Sequence, residues 1–374
     1  MELLFYISVG FVAYTYVGYP LIIVIWGTLF PRRVSKKYQH VPLSVVVAAK
    51  NEEINIKARI DNLLSQDYPR DMVQIIVVSD GSTDRTAELA RSAGESVIVI
   101  ETDGAVGKAA ALNLGLQRAT NEIVVFADAR QRFSDNAFAE LAAMFNDETV
   151  GAVSGELIIE SGVGSEVGTG VGLYWQYEKL IRRMESASGS VVGATGSIYA
   201  IRRALYEPLA EHTVLDDFLI PMRIVLRGYR VVFVRSARAY DISSATTGEE
   251  FSRKVRTLAG NFQAVSMEKR LLHPRLNPVF FQFVSHKLAR LVVPYFCITA
   301  LVTSLILPGA FFNAAFAVQA IFYLLGILNQ TPLGSSPIAK PLRVAWTFIV
   351  LNAAAVVGLW VYITRRDDVL WKKS

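Results

Sequence analysis

The chain has 374 residues, of which 52% are hydrophobic and 19% are charged, and its formal net charge is +5. Its single cysteine, Cys297, excludes a disulfide framework and a cysteine-based metal site within the chain. The positive charge does not indicate a nucleic-acid partner, because basic residues that directly follow an apolar segment usually set membrane orientation. Four such residues are Arg32, Arg33, Lys36 and Lys37.

Residues 3–30 form an uncharged apolar stretch that is long enough to cross a bilayer. A cleavable signal peptide fits poorly, because no basic region precedes the stretch and no small-residue cleavage site follows it. The sequence therefore predicts an N-terminal transmembrane helix over residues 1–31. The basic cluster behind it places the following domain in the cytosol.

Residues 40–270 have ordinary globular composition and are predicted to form one cytosolic domain. Short apolar runs at 43–49, 73–80, 96–100 and 122–128 predict strands, and segments with helical spacing separate them. This alternation predicts the α/β class, with a doubly wound, Rossmann-like and mostly parallel sheet. In such a sheet, ligands bind at the carboxyl ends of the strands.

Polar residues follow three of these predicted strands. Each could simply cap a helix, as Ser82 or Thr83 would. Carboxylates at three converging strand ends are less easily explained by capping, and they suit a nucleotide. The residues are Lys50, Asn51, Glu52 and Glu53 after the first strand, Asp80, Gly81, Ser82 and Asp84 after the second, and Asp128, Ala129 and Arg130 after the fourth.

Three further segments of the domain have alternative interpretations. Residues 104–108 are not a P-loop, because the first glycine and the hydroxyl residue after the lysine are missing. The glycine-rich residues 162–172 open no βαβ unit, so we interpret them as a flexible active-site loop rather than a dinucleotide site. Residues 173–186 predict an amphipathic helix at the membrane surface, with an ordinary packed helix as the alternative.

The C-terminal part is predicted to return to the membrane. Residues 271–289 are assigned to an interfacial helix, residues 290–364 to about three transmembrane helices, and residues 365–374 to a tail. The spans are placed at 290–309, 311–329 and 345–363. Four spans would put both termini outside, which conflicts with the basic tail, so one C-terminal segment is either re-entrant or miscounted.

Seven motifs in order resemble family-2 glycosyltransferases of the GT-A fold, in particular membrane synthases of the cellulose, chitin and hyaluronan type. The order and spacing of the motifs carry the resemblance more than any single one. They are AAKNEE (48–53), VVSDGSTDRT (77–86), GKAAALN (107–113), FADAR (126–130), GATGSIYAIRR (193–203), LDDFLI (215–220) and FSRKVRTLAGN (251–261).

The resemblance implies a role for individual residues. It makes Asp217 the general base, and a neighbouring Asp216 together with burial would raise its pKa. It places Mg²⁺ or Mn²⁺ on Asp128. The implied donor-binding residues are Lys50, Asn51, Glu52, Asp80, Lys108, Asp128, Arg130, Arg253 and Arg256, and the implied acceptor-binding residues are Gly196, Asp216 and Thr257.

Two positions depart from the family pattern. Arg130 stands where the last acid of the Asp-x-Asp motif usually binds the metal, so either Asp128 holds the metal or Arg130 itself neutralises the phosphates. Thr257 replaces a tryptophan that packs against the acceptor sugar in processive enzymes. The second change weakens the expectation of long-chain polymerisation.

The resemblance thus implies an inverting hexosyl- or N-acetylhexosaminyltransferase that uses a nucleotide-sugar, with a UDP-sugar as the expected donor. The expected acceptor is a glycan or a lipid-linked molecule, in polysaccharide synthesis. The alternatives are transfer of one sugar to a membrane lipid, and an inactive sugar-nucleotide-binding subunit of a glycan export system. The expected location is the bacterial inner membrane, with the lipid bilayer as a partner, no nucleic acid, and an oligomer left open.

Overall fold

The computed structural model describes residues 1–160, 169–242, 247–331 and 339–364. The predicted loop over 162–172 lies largely outside these residues, and so does the tail. The described part contains one mixed sheet with the strand order β3-β2-β1-β4-β7-β6-β8-β5. Its strands are β1 (Leu43–Ala49), β2 (Val73–Ser79), β3 (Val97–Glu101), β4 (Ile123–Asp128), β5 (Arg132–Phe133), β6 (Val150–Glu160), β7 (Ile198–Arg202) and β8 (Arg230–Ile242).

The first half of the sheet is parallel and the second half is mixed. Strands β3, β2, β1 and β4 pair in parallel, and β6 pairs with β8 in parallel. Strand β7 is antiparallel to both of its neighbours, and β5 is antiparallel to β8. The predicted α/β class and the mostly parallel sheet are confirmed, and the four predicted strands lie within one residue of the observed ones.

Helices cover both faces of the sheet, as continuous apolar strands require. On one face, Val45 and Val47 pack with Ile60 and Phe138. The helices are α1 (Glu2–Leu29), α2 (Ile56–Leu64), α3 (Thr86–Arg91), α4 (Lys108–Arg118), α5 (Ala137–Ala142), α6 (Thr169–Ser188), α7 (Asp216–Leu226), α8 (Thr247–Met267), α9 (Phe280–Ile306), α10 (Ala310–Leu328) and α11 (Lys340–Ile363).

The opposite face carries a second core. The alternating residues Val46 and Val78 point there, against Leu112 of α4 and Leu219 of α7. The sheet therefore fixes the first residues of α4 and α7 relative to the strand ends. This placement matters because Lys108 begins α4 and Asp216 begins α7.

Four described helices are long and apolar enough to cross a membrane: α1, α9, α10 and α11. Their number matches the prediction by length and composition. Helix α9 begins at Phe280, within the segment 271–289 that the sequence assigns to an interfacial helix, and it continues to Ile306. The interfacial position of that segment stays a prediction. The polar residues His286 and Arg290 of this helix are accommodated because they pair with glutamates of α6.

Helix α6 contains the segment predicted to be amphipathic. Its apolar side packs on protein, because Ile181 is buried against Tyr19 and Ile23 of α1. The approach is close at Gly27 of α1, where a Cβ atom would lie 2.7 Å from the carbonyl oxygen of Met184. Helix α1 and the domain that contains the sheet are therefore in contact along α6.

Candidate active site

A cavity of about 470 Å³ opens at the carboxyl ends of β1 and β2, where the sequence predicts the ligand site. Walls come from both strand ends, from the turn before α4, from the segment before α7 and from α8. The lining residues are Ala48, Ala49, Lys50, Asp80, Ala105, Val106, Gly107, Lys108, Glu211, His212 and Arg256.

Asp80 fixes the floor of this cavity. Its carboxylate accepts hydrogen bonds from the backbone N–H of Val106 at 2.6 Å and of Gly107 at 3.0 Å. The turn can approach because Gly81 has φ +54°, and a Cβ atom there would lie 2.3 Å from the Ala105 nitrogen. Asp80 thus holds the turn that precedes Lys108.

Lys108 is the centre of the charged groups in the cavity. Its Nζ lies 3.0 Å from Oδ1 of Asp128 and 3.4 Å from Oδ1 of Asp216. Burial alone would lower the pKa of Lys108, but the carboxylates of Asp128, Asp216 and Asp217 outweigh burial and raise this pKa. One permanently charged ammonium therefore connects three of the predicted motifs.

Asp217 is the least constrained acid of this group. No described residue donates a hydrogen bond to its carboxylate, while its backbone carbonyl accepts one from Ala194 N–H at 2.7 Å. Burial and the adjacent Asp216 raise the pKa of Asp217 to about 6, although Lys108 and Lys287 oppose the rise. A carboxylate with this pKa, and with free acceptor positions, is suited to take a proton near neutral pH.

Gly196 lies directly against this carboxylate. A Cβ atom at Gly196 would lie 2.8 Å from Oδ2 of Asp217. The residue therefore shapes the space around Asp217. Asp216, by contrast, is buried and accepts a hydrogen bond from the Tyr199 hydroxyl at 3.3 Å, so it supports Lys108 from within the domain.

Two of the predicted donor residues build the first loop. Asn51 adopts φ +50°, and its side-chain oxygen accepts a hydrogen bond from Thr83 N–H at 2.8 Å. Glu52 accepts one from the Asn55 amide at 2.8 Å and lies 3.8 Å from Nε of Arg130. The structure brings these residues to the same strand ends, and their contact with a donor stays a prediction.

Helix α8 delivers one of its three predicted residues to the cavity. Arg256 lines the cavity, while Nε of Arg253 is buried without a hydrogen-bond acceptor among the described residues. Thr257 is exposed, lies outside the cavity lining, and donates its hydroxyl to the Arg253 carbonyl within the helix. The structure therefore does not bring Thr257 to the cavity.

Sequence reasoning missed Glu211 and His212, which line the cavity just before the Asp216–Asp217 pair. Gln263 of α8 holds this segment, because its amide donates to the His212 carbonyl at 2.7 Å and its oxygen accepts from Val214 N–H at 2.9 Å. The polar residues directly upstream of the acidic pair were the only signal that could have indicated them.

Asp128 fits a divalent cation that substrate phosphates also hold. One or two protein carboxylates plus phosphate oxygens are the usual ligands of Mg²⁺. Oδ1 of Asp128 contacts Lys108, and its Oδ2 receives no hydrogen bond from the described residues. The described part contains no group of three potential metal-binding side chains, so any metal here would depend on the substrate.

Comparisons with known proteins give a family match for part of the chain and a similar fold. Residues 44–209 match the model of the Glycosyl transferase family 2. Probable glycosyltransferase YdaM of Bacillus subtilis (strain 168) is 25% identical over 239 residues, which are 59% of this chain and 55% of that protein. Poly-beta-1,6-N-acetyl-D-glucosamine synthase of Staphylococcus aureus (strain COL) is 25% identical over 234 residues, 60% of this chain and 55% of the relative.

The chain spans about half the length of the curated relatives that it matches. Among solved structures, the mannosyltransferase PcManGT from Pyrobaculum calidifontis, in complex with GDP-Man and Mn²⁺, has a TM-score of 0.75 and 21% identity. That likeness covers 97% of this chain and 99% of the other, and it concerns the fold. The fold is the GT-A fold, and residues 44–209 match a glycosyltransferase family 2 domain.

Proposed function

We propose that the protein transfers a sugar from a nucleotide-sugar to an acceptor hydroxyl with inversion at the anomeric carbon. The observation that carries the proposal is the Asp217 carboxylate, which has a pKa of about 6 and no described hydrogen-bond donor, close to the charged Lys108. Inversion needs one base and cationic help for the leaving group. Lys108 lines the cavity, and Asp217 directly follows Asp216, whose carboxylate contacts Lys108.

The proposed reaction is a single displacement. Asp217 takes the proton of the acceptor hydroxyl while the acceptor oxygen forms a bond to the anomeric carbon. The bond between that carbon and the phosphate oxygen breaks, and its electron pair leaves with the nucleoside diphosphate. Lys108 lies where it can stabilise the charge that develops on this leaving group.

The donor binds, in this proposal, at the ends of β1, β2 and β4. Lys50 and Arg256 add positive charge to the cavity lining, and Asp128 holds Mg²⁺ or Mn²⁺ together with the diphosphate. The metal would supply further neutralisation of that diphosphate. A UDP-sugar is the first donor to test, and a GDP-sugar is the second because the PcManGT complex contains GDP-Man.

The proposed location is the bacterial inner membrane, with the catalytic domain in the cytosol. Four apolar helices flank the domain, and the basic residues that follow α1 favour the cytosolic side. The acceptor would then reach Asp217 from the membrane, as either a glycan or a lipid-linked molecule.

Addition of one sugar to a membrane lipid is a second candidate for the product. The observation that favours it is Thr257, which replaces the acceptor-packing tryptophan of processive enzymes and lies outside the cavity lining. Sizing the product separates one added sugar from a polymer.

The test is nucleoside diphosphate release by the purified full chain, supplied with a bacterial lipid extract, UDP- or GDP-sugars, and Mg²⁺ or Mn²⁺. Asp217→Asn removes the base and should slow release by about 10²–10⁴-fold. Asp61→Asn, at an exposed position of α2, is the matched control and should keep wild-type activity. If wild type and Asp217→Asn are equally slow with every donor and metal, the protein is an inactive relative and the proposal fails.

A further inference from the structure

Two cationic side chains near Asp217 have no role in the proposed reaction: Arg182 of α6 and Lys287 of α9. Arg182 is oriented by neutral groups only. Its guanidinium donates to Oγ1 of Thr195 at 2.9 Å and to Oγ of Ser154 at 3.0 Å, and it lies 5.2 Å from the Phe233 ring centroid. Thr195 directly precedes Gly196, whose backbone abuts the Asp217 carboxylate.

Lys287 approaches Asp217 from the membrane-side helix α9. Phe283, one helical turn before it, packs on the ring of Phe218 with 6.1 Å between the centroids. The positive charge of Lys287 is near enough to oppose the rise in the pKa of Asp217. Lys287 forms no hydrogen bond and no close ion pair with any residue in the described ranges.

The two glutamates of α6 that lie near these cations already have partners. Glu185 is buried and contacts Nδ1 of His286 at 2.6 Å, and Glu178 contacts Nε2 of His286 at 3.2 Å and also pairs with Arg290. Glu178 and Glu185 are therefore contacted by His286 and Arg290, and neither forms an ion pair with Arg182 or Lys287.

Among the described residues, no carboxylate lies within ion-pair distance of Arg182 or Lys287. Burial lowers the pKa of Arg182, although the charges of Glu185, Glu178 and Asp217 oppose the change. A buried cation that no carboxylate contacts directly is unfavourable, and an anionic ligand would relieve that cost. Preoriented guanidinium and ammonium groups without carboxylate partners are suited to bind phosphate.

The position of this pair favours an anion on the acceptor. The donor diphosphate already has Lys108 and Arg256 at the cavity. Beyond Lys287, α9 continues as a candidate membrane span and exposes Val292, Tyr295 and Ile298. An anion bound at Lys287 can therefore be attached to a hydrocarbon tail that lies along α9 in the bilayer.

We propose that Arg182 and Lys287 bind the phosphate of a membrane-lipid acceptor and so hold a hydroxyl of its head group at Asp217. The inference rests on the proposed function, because it assigns Asp217 the acceptor hydroxyl. The proposed acceptor is a lipid that contains a phosphate or a diphosphate. Its hydrocarbon tail would lie along the outer surface of α9.

The test is binding of dodecyl phosphate to the purified full chain in a neutral detergent, measured by calorimetric titration. Wild type should bind it saturably, and inorganic phosphate should bind more weakly because it has no tail. Lys287→Met and Arg182→Met should each weaken binding by about tenfold, since each removes a charge-assisted contact. Lys287→Arg and Arg182→Lys keep the charge and should restore most of the affinity.

The matched controls are Arg183→Met and Lys269→Met. Arg183 is an exposed cation next to Arg182, and Lys269 is an exposed cation that precedes α9 in the sequence. They should bind dodecyl phosphate as wild type does, and melting curves identify any variant that is misfolded. Equal binding by Lys287→Met, Arg182→Met and the controls overturns the inference. Inorganic phosphate that binds as tightly as dodecyl phosphate overturns the assignment to a lipid.

The same preparations separate this inference from the proposed function. Nucleoside diphosphate release that proceeds onto an uncharged lipid, without any dodecyl phosphate binding, overturns the phosphate site and leaves the transferase activity standing. Saturable, Lys287-dependent binding without release from any nucleotide-sugar supports the phosphate site and overturns the transferase activity.

Discussion

The proposed donor side and the proposed acceptor side of the site are built in different ways. On the donor side, Asp80, Lys108 and Asp128 follow or precede neighbouring strands of one parallel unit, and each has a partner nearby. On the acceptor side, Arg182, Gly196 and other groups come from segments distant in the sequence. A βαβ unit places its functional groups by local rules, whereas the acceptor side requires the complete tertiary structure.

The two sides also differ in charge balance. The donor-side ammonium of Lys108 contacts two carboxylates. Phosphate oxygens of a bound donor could replace these carboxylates as its partners. The acceptor-side cations contact neutral hydroxyls or no described partner at all. The difference suggests that substitutions on the donor side affect the chemical step, and those on the acceptor side affect binding and proton transfer.

The largest effect is expected for Lys108→Met, which tests whether the donor side carries the chemistry. Loss of the ammonium leaves the departing diphosphate without its nearest cation, and kcat should fall by about 10²–10³-fold. Steady-state nucleoside diphosphate release measures it, with Lys57→Met at an exposed position of α2 as the control. A kcat within a factor of about two of wild type would place the leaving-group cation elsewhere.

A smaller effect is expected for Gly196→Ala, which moves the base without removing it. The new methyl carbon would lie 2.8 Å from Oδ2 of Asp217, so the carboxylate must shift. We expect kcat to fall by about tenfold to a hundredfold, while the KM for the donor is unchanged. Gly248→Ala of α8, where a Cβ meets nothing within 4 Å, is the control. A changed donor KM with unchanged kcat would contradict the separation of the two sides.

The smallest effect is expected in the pH profile. Because Asp217 must be deprotonated, kcat/KM should decline about tenfold per pH unit below about pH 6. Lys287→Met removes a positive charge that lowers the pKa of Asp217, so the midpoint of this decline should move to higher pH by about half a unit to one unit. Lys269→Met should leave the midpoint in place. A shift to lower pH would show that Lys287 does not act on Asp217.

The sequence was sufficient to predict the parallel half of the sheet and the acids that follow its strands. Strands β1, β2 and β4 consist mainly of apolar residues, chiefly valine, isoleucine and alanine, as a buried parallel strand requires. Asp80 and Asp128 could be placed because carboxyl ends of parallel strands share one edge. The resemblance supplied Asp217, which periodicity alone would have left as a helix cap.

The second half could not be predicted in the same way. Strand β6 pairs with β8 through two register shifts, and both strands contain polar residues that disrupt a simple pattern. Helix α6 has an amphipathic sequence, which predicts a surface position, yet its apolar side contacts α1. Whether a carboxylate contacts Arg182 or Lys287 depends on the tertiary structure, and in the described ranges none lies within ion-pair distance of either.

The buried group around His286 has a consequence for how the protein is made. Glu185 accepts a hydrogen bond from Tyr19 of α1 at 2.5 Å and contacts His286 of α9 at 2.6 Å. A nascent chain that has emerged only to residue 270 contains the whole sheet but lacks His286 and Arg290, so Glu178 and Glu185 have no cation of α9 to meet. Insertion of α9 therefore completes the contacts of α6 as well as the membrane part, and a chain that ends before α9 would leave both glutamates without these partners.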